Sequence, residues 1–217
     1  MIMRGQIFVF SAPSGAGKST VIEELRRRVP SVAYSVSHTT RPPRGGEVEG
    51  VDYYFVDDAE FKAMISRGEL MEWASVYGRY YGTSAANLRS LTSKGIDVLL
   101  DVDNVGAFNI KKTFEDSVLV FILPPSLEEL ERRLAARGTD DPEAVRSRMA
   151  EASKIISECV HFDYLVVNDD LAEAVGRAEA IINACRCRTA RVAPGLGEIF
   201  PLNSSDNDPD GFDSKMG

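Results

Sequence analysis

The chain reads as an α/β protein whose parallel sheet is covered on both faces. Two patterns carry that reading. Short apolar strands, Ile96–Val102 ending in acids and Val118–Leu123, alternate with stretches of helical period. Strands buried on both sides by helices have that pattern. A turn-rich segment, Ala12–Gly17, also joins an apolar strand directly to a helix.

The elements follow in order. Gln6–Ser11 is a short buried strand. Ser19–Val29 places Val21, Ile22 and Leu25 on one face and Arg26–Arg28 at its basic end, and Pro30 stops it; cations suit a helix C-terminus. Val32–Ser37 alternates as a strand, and residues 38–56, rich in Gly, Pro, Arg and Tyr, read as loop and hairpin. Asp57–Arg67 is a short helix with capping-box spacing between Asp57 and Glu60. Leu70–Val76 and Arg79–Thr83 pair around Tyr77-Gly78. Ser84–Lys94 is a helix ended by Gly95. Strand Ile96–Val102, helix Val105–Lys112 and strand Val118–Leu123 form a β-α-β run. Helix Ser126–Arg137 opens on a second cap, Ser126 with Glu129, and Asp141-Pro142 begins a helix reaching Cys159. Strand Tyr164–Val167 and helix Leu171–Arg188 close the pattern. From residue 191 to 217 the Gly, Pro, Asn, Ser and Asp content predicts a disordered tail.

A length of 217 residues suits one compact domain, or one core with embedded lobes. The longest apolar runs are too short to cross a bilayer. Residues 1–6 lack the basic region, long apolar stretch and cleavage site of a secretory signal. Three cysteines make no disulfide framework, and Cys185 and Cys187 have no second pair to complete a metal site. A reducing cytoplasm is the expected location. The net charge of −8 argues against nucleic acid as a bulk partner, and no membrane partner is expected. A few local arginines would still suffice for a small phosphorylated ligand.

Ser11-Ala12-Pro13-Ser14-Gly15-Ala16-Gly17-Lys18-Ser19-Thr20 is close to the phosphate-loop pattern, with Ala12 in the first glycine position. Glycines let backbone N–H groups converge on a polyphosphate, and the helix N-terminus adds positive potential. Lys18 would reach the β- and γ-phosphates, and the Ser19 hydroxyl would help hold Mg²⁺. The ending names a nucleoside triphosphate as donor and leaves the acceptor open.

The acceptor is indicated by further blocks. Ser35-Val36-Ser37-His38-Thr39-Thr40-Arg41-Pro42-Pro43-Arg44-Gly45-Gly46-Glu47, Asp52-Tyr53-Tyr54-Phe55-Val56, Met71-Glu72-Trp73-Ala74, Tyr80-Tyr81-Gly82-Thr83 and Asn168-Asp169-Asp170 resemble, in order and spacing, the signature of the guanylate kinase family. The resemblance covers about residues 5–188. It implies a parallel-sheet P-loop nucleoside monophosphate kinase core with an inserted GMP-binding lobe and a helical lid. It also implies phosphoryl transfer from ATP to GMP with Mg²⁺ as cofactor. The core would comprise residues 1–36, 85–124 and 159–190, the lobe 37–84 and the lid 125–158.

The implied roles suit the side chains. ATP would lie on Ala12 through Thr20 and on Asn168. Arg41 and Arg44 are planar forks suited to a phosphate dianion, and Tyr53 and Tyr81 can donate to the same phosphate. One carboxylate, Glu72, can accept from both guanine N1–H and N2–H₂, whereas adenine would leave it unpaired. Ser37, Thr83 and Asp103 complete the base site. Asp101, ending its strand, takes the position of a Mg²⁺-orienting carboxylate, with Ser19 as the other metal-side residue. Lys18, Arg41, Arg137 and Arg148 are the expected catalytic residues, with Arg133 a further lid candidate. Some family members carry a glutamine near Val105, where this chain has Asn104-Val105-Gly106. Two alternatives stand beside this reading. One is a protein-binding module of the same fold, which the retained Lys18, Ser19, Arg41, Arg44 and Glu72 disfavour. The other is a kinase for another nucleoside monophosphate, which Glu72 with two hydroxyls disfavours. The sequence leaves oligomeric state open.

Overall fold

The computed structural model describes residues 4–76, 78–136, 142–196 and 200. A five-stranded sheet forms the centre. Its strands are β1 (Ile7–Ser11), β2 (Val32–Tyr34), β7 (Asp97–Asp101), β8 (Val118–Leu123) and β9 (Tyr164–Val167), in the order β2-β7-β1-β8-β9. Every pairing in it is parallel. Side chains alternate through the sheet. Phe8 and Phe10 of β1 join a core with α1 (Lys18–Arg28) and α7 (Leu171–Arg186). Ile7 and Val9 point to the opposite face, against α3 (Ala85–Ser93) and α4 (Asn104–Thr113). Both faces are therefore covered, as strands apolar on both sides require. Helices α5 (Leu127–Ala135) and α6 (Pro142–Ser157) pack together through Leu130, Leu134, Val145 and Ala152. A 3-10 turn, Glu158–His161, follows α6. None of the described helices is long and apolar enough to cross a membrane.

A second, mixed sheet has the order β4-β3-β6-β5. It is built from β3 (Ser37–Thr39), β4 (Tyr53–Phe55), β5 (Leu70–Val76) and β6 (Arg79–Ser84), with α2 (Asp58–Ser66) between β4 and β5. Two expectations change here. The run expected as one strand, Val32–Ser37, divides after Tyr34. β2 pairs with β7, Ser35 donates its N–H to the Leu99 carbonyl, and β3 then starts in the other sheet. Alternation marks extended backbone but not its partner. Residues 38–56 do not form a hairpin, since β3 and β4 run parallel and residues 40–52 make the return.

Local chemistry sets the helix starts. Asp57 Oδ1 accepts from Glu60 N at 2.7 Å and Ser126 Oγ from Glu129 N at 3.1 Å, satisfying N–H groups that the first turn leaves unpaired. Strand β5 carries one extra residue between Leu70 and Glu72, because Leu70 faces Ser84 while Glu72 faces Thr83.

The expected tail begins inside a helix. Thr189–Leu196 is α8, with Pro194 within it, and residues 201–217 lie outside the described residues. Tertiary contacts hold α8 against the breaker-rich sequence. Arg191 Nη2 donates to the Arg4 carbonyl at 2.7 Å and lies 3.9 Å from Asp97. Asp97, 3% exposed, is the hub of this edge, accepting from Gln6 N at 2.6 Å and from Arg186 Nε at 2.8 Å. Removing one partner of a buried pair strands the other. Asp97→Ala is therefore expected to lower stability by about 2–4 kcal/mol. Urea unfolding would show a lower midpoint with unchanged slope, and a midpoint within error of the parent would contradict the role of Asp97.

Candidate active site

The loop after β1 is shaped by two glycines in the left-handed region, Gly15 and Gly17, both at φ +91°. The Ala16 N–H returns to the Pro13 carbonyl at 3.2 Å. Gly17 is the cap residue of α1, which has no side-chain cap and no acid in its first turn. The helix thus presents its N–H groups and dipole unneutralised, which suits an anion. A Cβ on Gly17 would come within 2.3 Å of Asn168 Nδ2. That amide is buried behind the loop and donates to the Ala16 carbonyl at 2.8 Å. Asn168 therefore braces the loop from the back.

Lys18, the first residue of α1, reaches across to β7. Its Nζ sits 2.5 Å from Asp101 Oδ1 and 2.9 Å from the Val102 carbonyl. The parallel register puts Phe10 beside Asp101, so the lysine and the strand-end carboxylate meet. Ser19 and Asp101 border one cavity of about 460 Å³. One hydroxyl and one carboxylate, with the rest of the shell left to phosphate and water, is a donor set that fits Mg²⁺.

A cleft of about 410 Å³ opens between the two sheets. The core lines it with Ala12, Ser14, Lys18, Asp101 and Asp103, and the second sheet with Ser37, Tyr53, Glu72 and Tyr81. Glu72 is 7% exposed and accepts from the Thr83 hydroxyl at 2.7 Å. Burial pushes its carboxyl up to about 7; the Thr83 hydroxyl opposes the rise and the Asp103 charge adds to it. A Cβ on Gly106 would sit 3.0 Å from Glu72 Oε2, so any larger residue at the start of α4 would press on the carboxylate. Asp103 has a second task, capping α4 by accepting from Gly106 N at 2.7 Å.

Arg41 is held by a bidentate pair with Glu47, Nη2 to Oε1 at 2.7 Å and Nη1 to Oε2 at 2.9 Å. It also lies over the Tyr53 ring, 5.2 Å from its centre. The fork geometry raises the Arg41 pKa further and holds the Glu47 carboxyl below the usual carboxylate range. Tyr53 and Tyr81 meet edge to face at 6.0 Å.

The structure thus brings together Lys18 with Asp101, Glu72 with Thr83, Ser37 and Asp103, and Arg41 with Tyr53 and Tyr81. It does not bring Arg44 to the cleft; that side chain is exposed, and the backbone N–H of Arg44 donates to Glu47 at 2.7 Å. Ser19 and Thr20 are exposed on α1. Arg148 lies on α6 and lines a neighbouring cavity of about 360 Å³ with Ser14 and Asp103. Arg133 is tied to Glu129 and to the Asn168 carbonyl. Arg137 lies outside the described residues. Val105 is exposed. Sequence reasoning missed the holding role of Glu47. Its only signal was a carboxylate among arginines in one glycine-rich loop.

With this geometry in place, the comparisons with known proteins are specific. The family model described as guanylate kinase matches residues 4–185. The guanylate kinase of Symbiobacterium thermophilum is 48% identical over 197 residues, 91% of this chain and 93% of its own length. That of Syntrophotalea carbinolica is 45% identical over 207 residues, covering 95% and 99%. The crystal structure of guanylate kinase from Anaplasma phagocytophilum superposes with a TM-score of 0.76 at 38% identity, covering 93% of this chain and all of that one.

The raised Glu72 carboxyl has a thermodynamic consequence. Between the ordinary value of 4.5 and about 7, the unfolded chain releases this proton before the folded one does. The stability contributed by the protonated group is therefore complete below 4.5 and is lost as pH rises through about 7. Glu72→Gln removes that loss. The ligand-free variant is expected to match the parent near pH 4 and to exceed it near pH 8 by on the order of 3 kcal/mol. Denaturant unfolding across this range would read the difference, and two parallel stability curves would contradict the burial argument.

Proposed function

Because this chain belongs to the guanylate kinase family and transfers the γ-phosphoryl group of ATP to GMP, giving ADP and GDP, we propose that the cleft between its two sheets is where that transfer occurs. The observation that carries the assignment is the joining of two chemistries in one cavity. Lys18 and Asp101 line it from the core, beside the phosphate loop, and Glu72, Tyr53 and Tyr81 line it from the second sheet. In this reading residues 37–84 are the GMP-binding lobe and residues 125–158 the lid over the core.

ATP phosphates lie on the N–H groups of the loop and the start of α1. Lys18, released from Asp101, follows the β- and γ-phosphates. Ser19 and Asp101 are the residues that would hold Mg²⁺, which when bound supplies charge neutralisation between the phosphates. The GMP phosphate meets the Arg41 fork, which Glu47 already holds oriented, together with Tyr53 and Tyr81; Arg44, exposed on the same loop, joins them only after its side chain turns inward. Glu72 takes the guanine N1–H and N2–H₂, with Ser37, Thr83 and Asp103 around it. That contact needs the carboxylate, so guanine binding draws the Glu72 proton off near neutral pH. The GMP phosphate is itself the nucleophile, and no general base is needed. The work is positioning and electrostatics. Arg148 brings positive charge to the transferring group when α6 approaches. A cytoplasmic location, where both substrates are available, belongs to the same reading.

Two variants test it. Lys18→Ala is expected to abolish most transfer in a coupled ADP-release assay while calorimetry still detects GMP; loss of GMP binding as well would contradict separate donor and acceptor sites. Glu72→Gln is expected to lower kcat/KM for GMP about 10- to 1,000-fold and to narrow the preference over AMP and IMP. An unchanged GMP:AMP ratio would remove Glu72 from base reading.

A further inference from the structure

Asn104 is 5% exposed and joins three elements through one amide. Its Oδ1 accepts from the Ser11 hydroxyl at 2.8 Å. Its Nδ2 donates to the Ile155 carbonyl at 3.1 Å and to Glu158 Oε2 at 2.7 Å. The orientation is fixed by chemistry, since a flipped amide would set its oxygen against a carbonyl and a carboxylate. Ser11 ends β1 and directly precedes the phosphate loop. Ile155 lies in the last turn of α6, where carbonyls lack partners within the helix, and Glu158 opens the turn that follows. Arg148 sits seven positions before Ile155 on the same helix, about 10 Å along its axis. It lines a cavity that Ser11, Ala12, Ser14 and Asn104 also border.

We propose that Asn104 is a positioning residue for phosphoryl transfer: its buried amide pins the C-terminal end of α6 to the end of β1, so that α6 delivers Arg148 to the phosphates from a set pivot. The proposal rests on the role given to Arg148 above. The amide suits the task because it is donor and acceptor at once. An apolar residue would leave the Ile155 carbonyl and the Glu158 carboxylate without this partner, and an acid would repel both. A displacement of about 1 Å in a group that acts on the transition state costs about 100-fold in rate. The effect falls on kcat, because Arg148 meets charge that develops during transfer.

The test is a double-mutant cycle in the full chain. Asn104→Asp keeps size and the Ser11 contact but sets a carboxylate against Glu158. It is expected to lower kcat about 10- to 100-fold with KM for GMP within about twofold. Adding Glu158→Gln turns donor and acceptor around and is expected to restore at least about tenfold of that loss. In an Arg148→Ala background, Asn104→Asp is expected to change kcat by less than about twofold. Melting temperatures accompany each variant. If Asn104→Asp does not fold, Ser11→Ala removes the amide's third contact alone and is read in the same cycle. An unchanged kcat, no recovery with Glu158→Gln, or a loss that multiplies fully with that of Arg148→Ala overturns the proposal while leaving the role of Arg148 intact. A parental kcat in Arg148→Ala alone overturns that role, and the proposal with it.

Discussion

The parallel register of β1 against β7 is the constraint on which the site depends. Setting Phe10 beside Asp101 brings the phosphate loop and the strand-end carboxylate to the same edge of the sheet. Lys18 can then span from α1 to Asp101 and Val102. The chain beyond Asp101 supplies Val102, Asp103 and Asn104 in immediate succession, so one strand end carries the Lys18 contact, a cleft-lining carboxylate and the contact to α6 together. A shift of this register by one residue would turn Asp101 to the other face of the sheet. Burial on both faces, with Phe8 and Phe10 on one and Ile7 and Val9 on the other, opposes such a slip.

The second sheet solves a different problem, that of keeping a carboxylate out of water before its ligand arrives. Glu72 has a hydroxyl donor in Thr83 and no ion-pair partner among the described residues, and burial raises its carboxyl to about 7. Arg41 is the opposite case, a cation supplied with a counter-charge in Glu47. Glu72 therefore waits partly neutral by protonation, and Arg41 is neutralised by pairing. Both are cheaper than bare buried charge.

Much of this was legible in the sequence. β8 and β9 match their expected bounds because a continuous apolar run flanked by turn residues has one reading. The caps at Asp57 and Ser126 are local chemistry and are found as expected. The division of residues 32–39 between two sheets was not legible, since a strand's partner is set by residues far along the chain. Helix α8 was hidden for the same reason, being held by Arg191 on Arg4 and Asp97 while its own sequence carries Pro194 and Gly195. At the site, Lys18, Glu72 and Arg41 could be named from motif and chemistry. Glu47 and Asn104 could not be given their contacts, because these depend on how loop and helices pack.

The extra residue in β5 has a meaning of its own. Had Leu70 through Glu72 paired regularly with Ser84 through Gly82, Met71 would stand opposite Thr83, and Glu72 would point to the other side of the pleat. The irregularity lets Leu70 pack beside Gly82 and Phe61 while Glu72 still enters the cleft. Which side chain the strand presents to the cleft is therefore a matter of parity, the odd or even count of residues between two anchor points. A relative could keep every amino acid of this strand and, by pairing it without the irregularity, present a thioether to its cleft. Residue-by-residue identity would not register that difference.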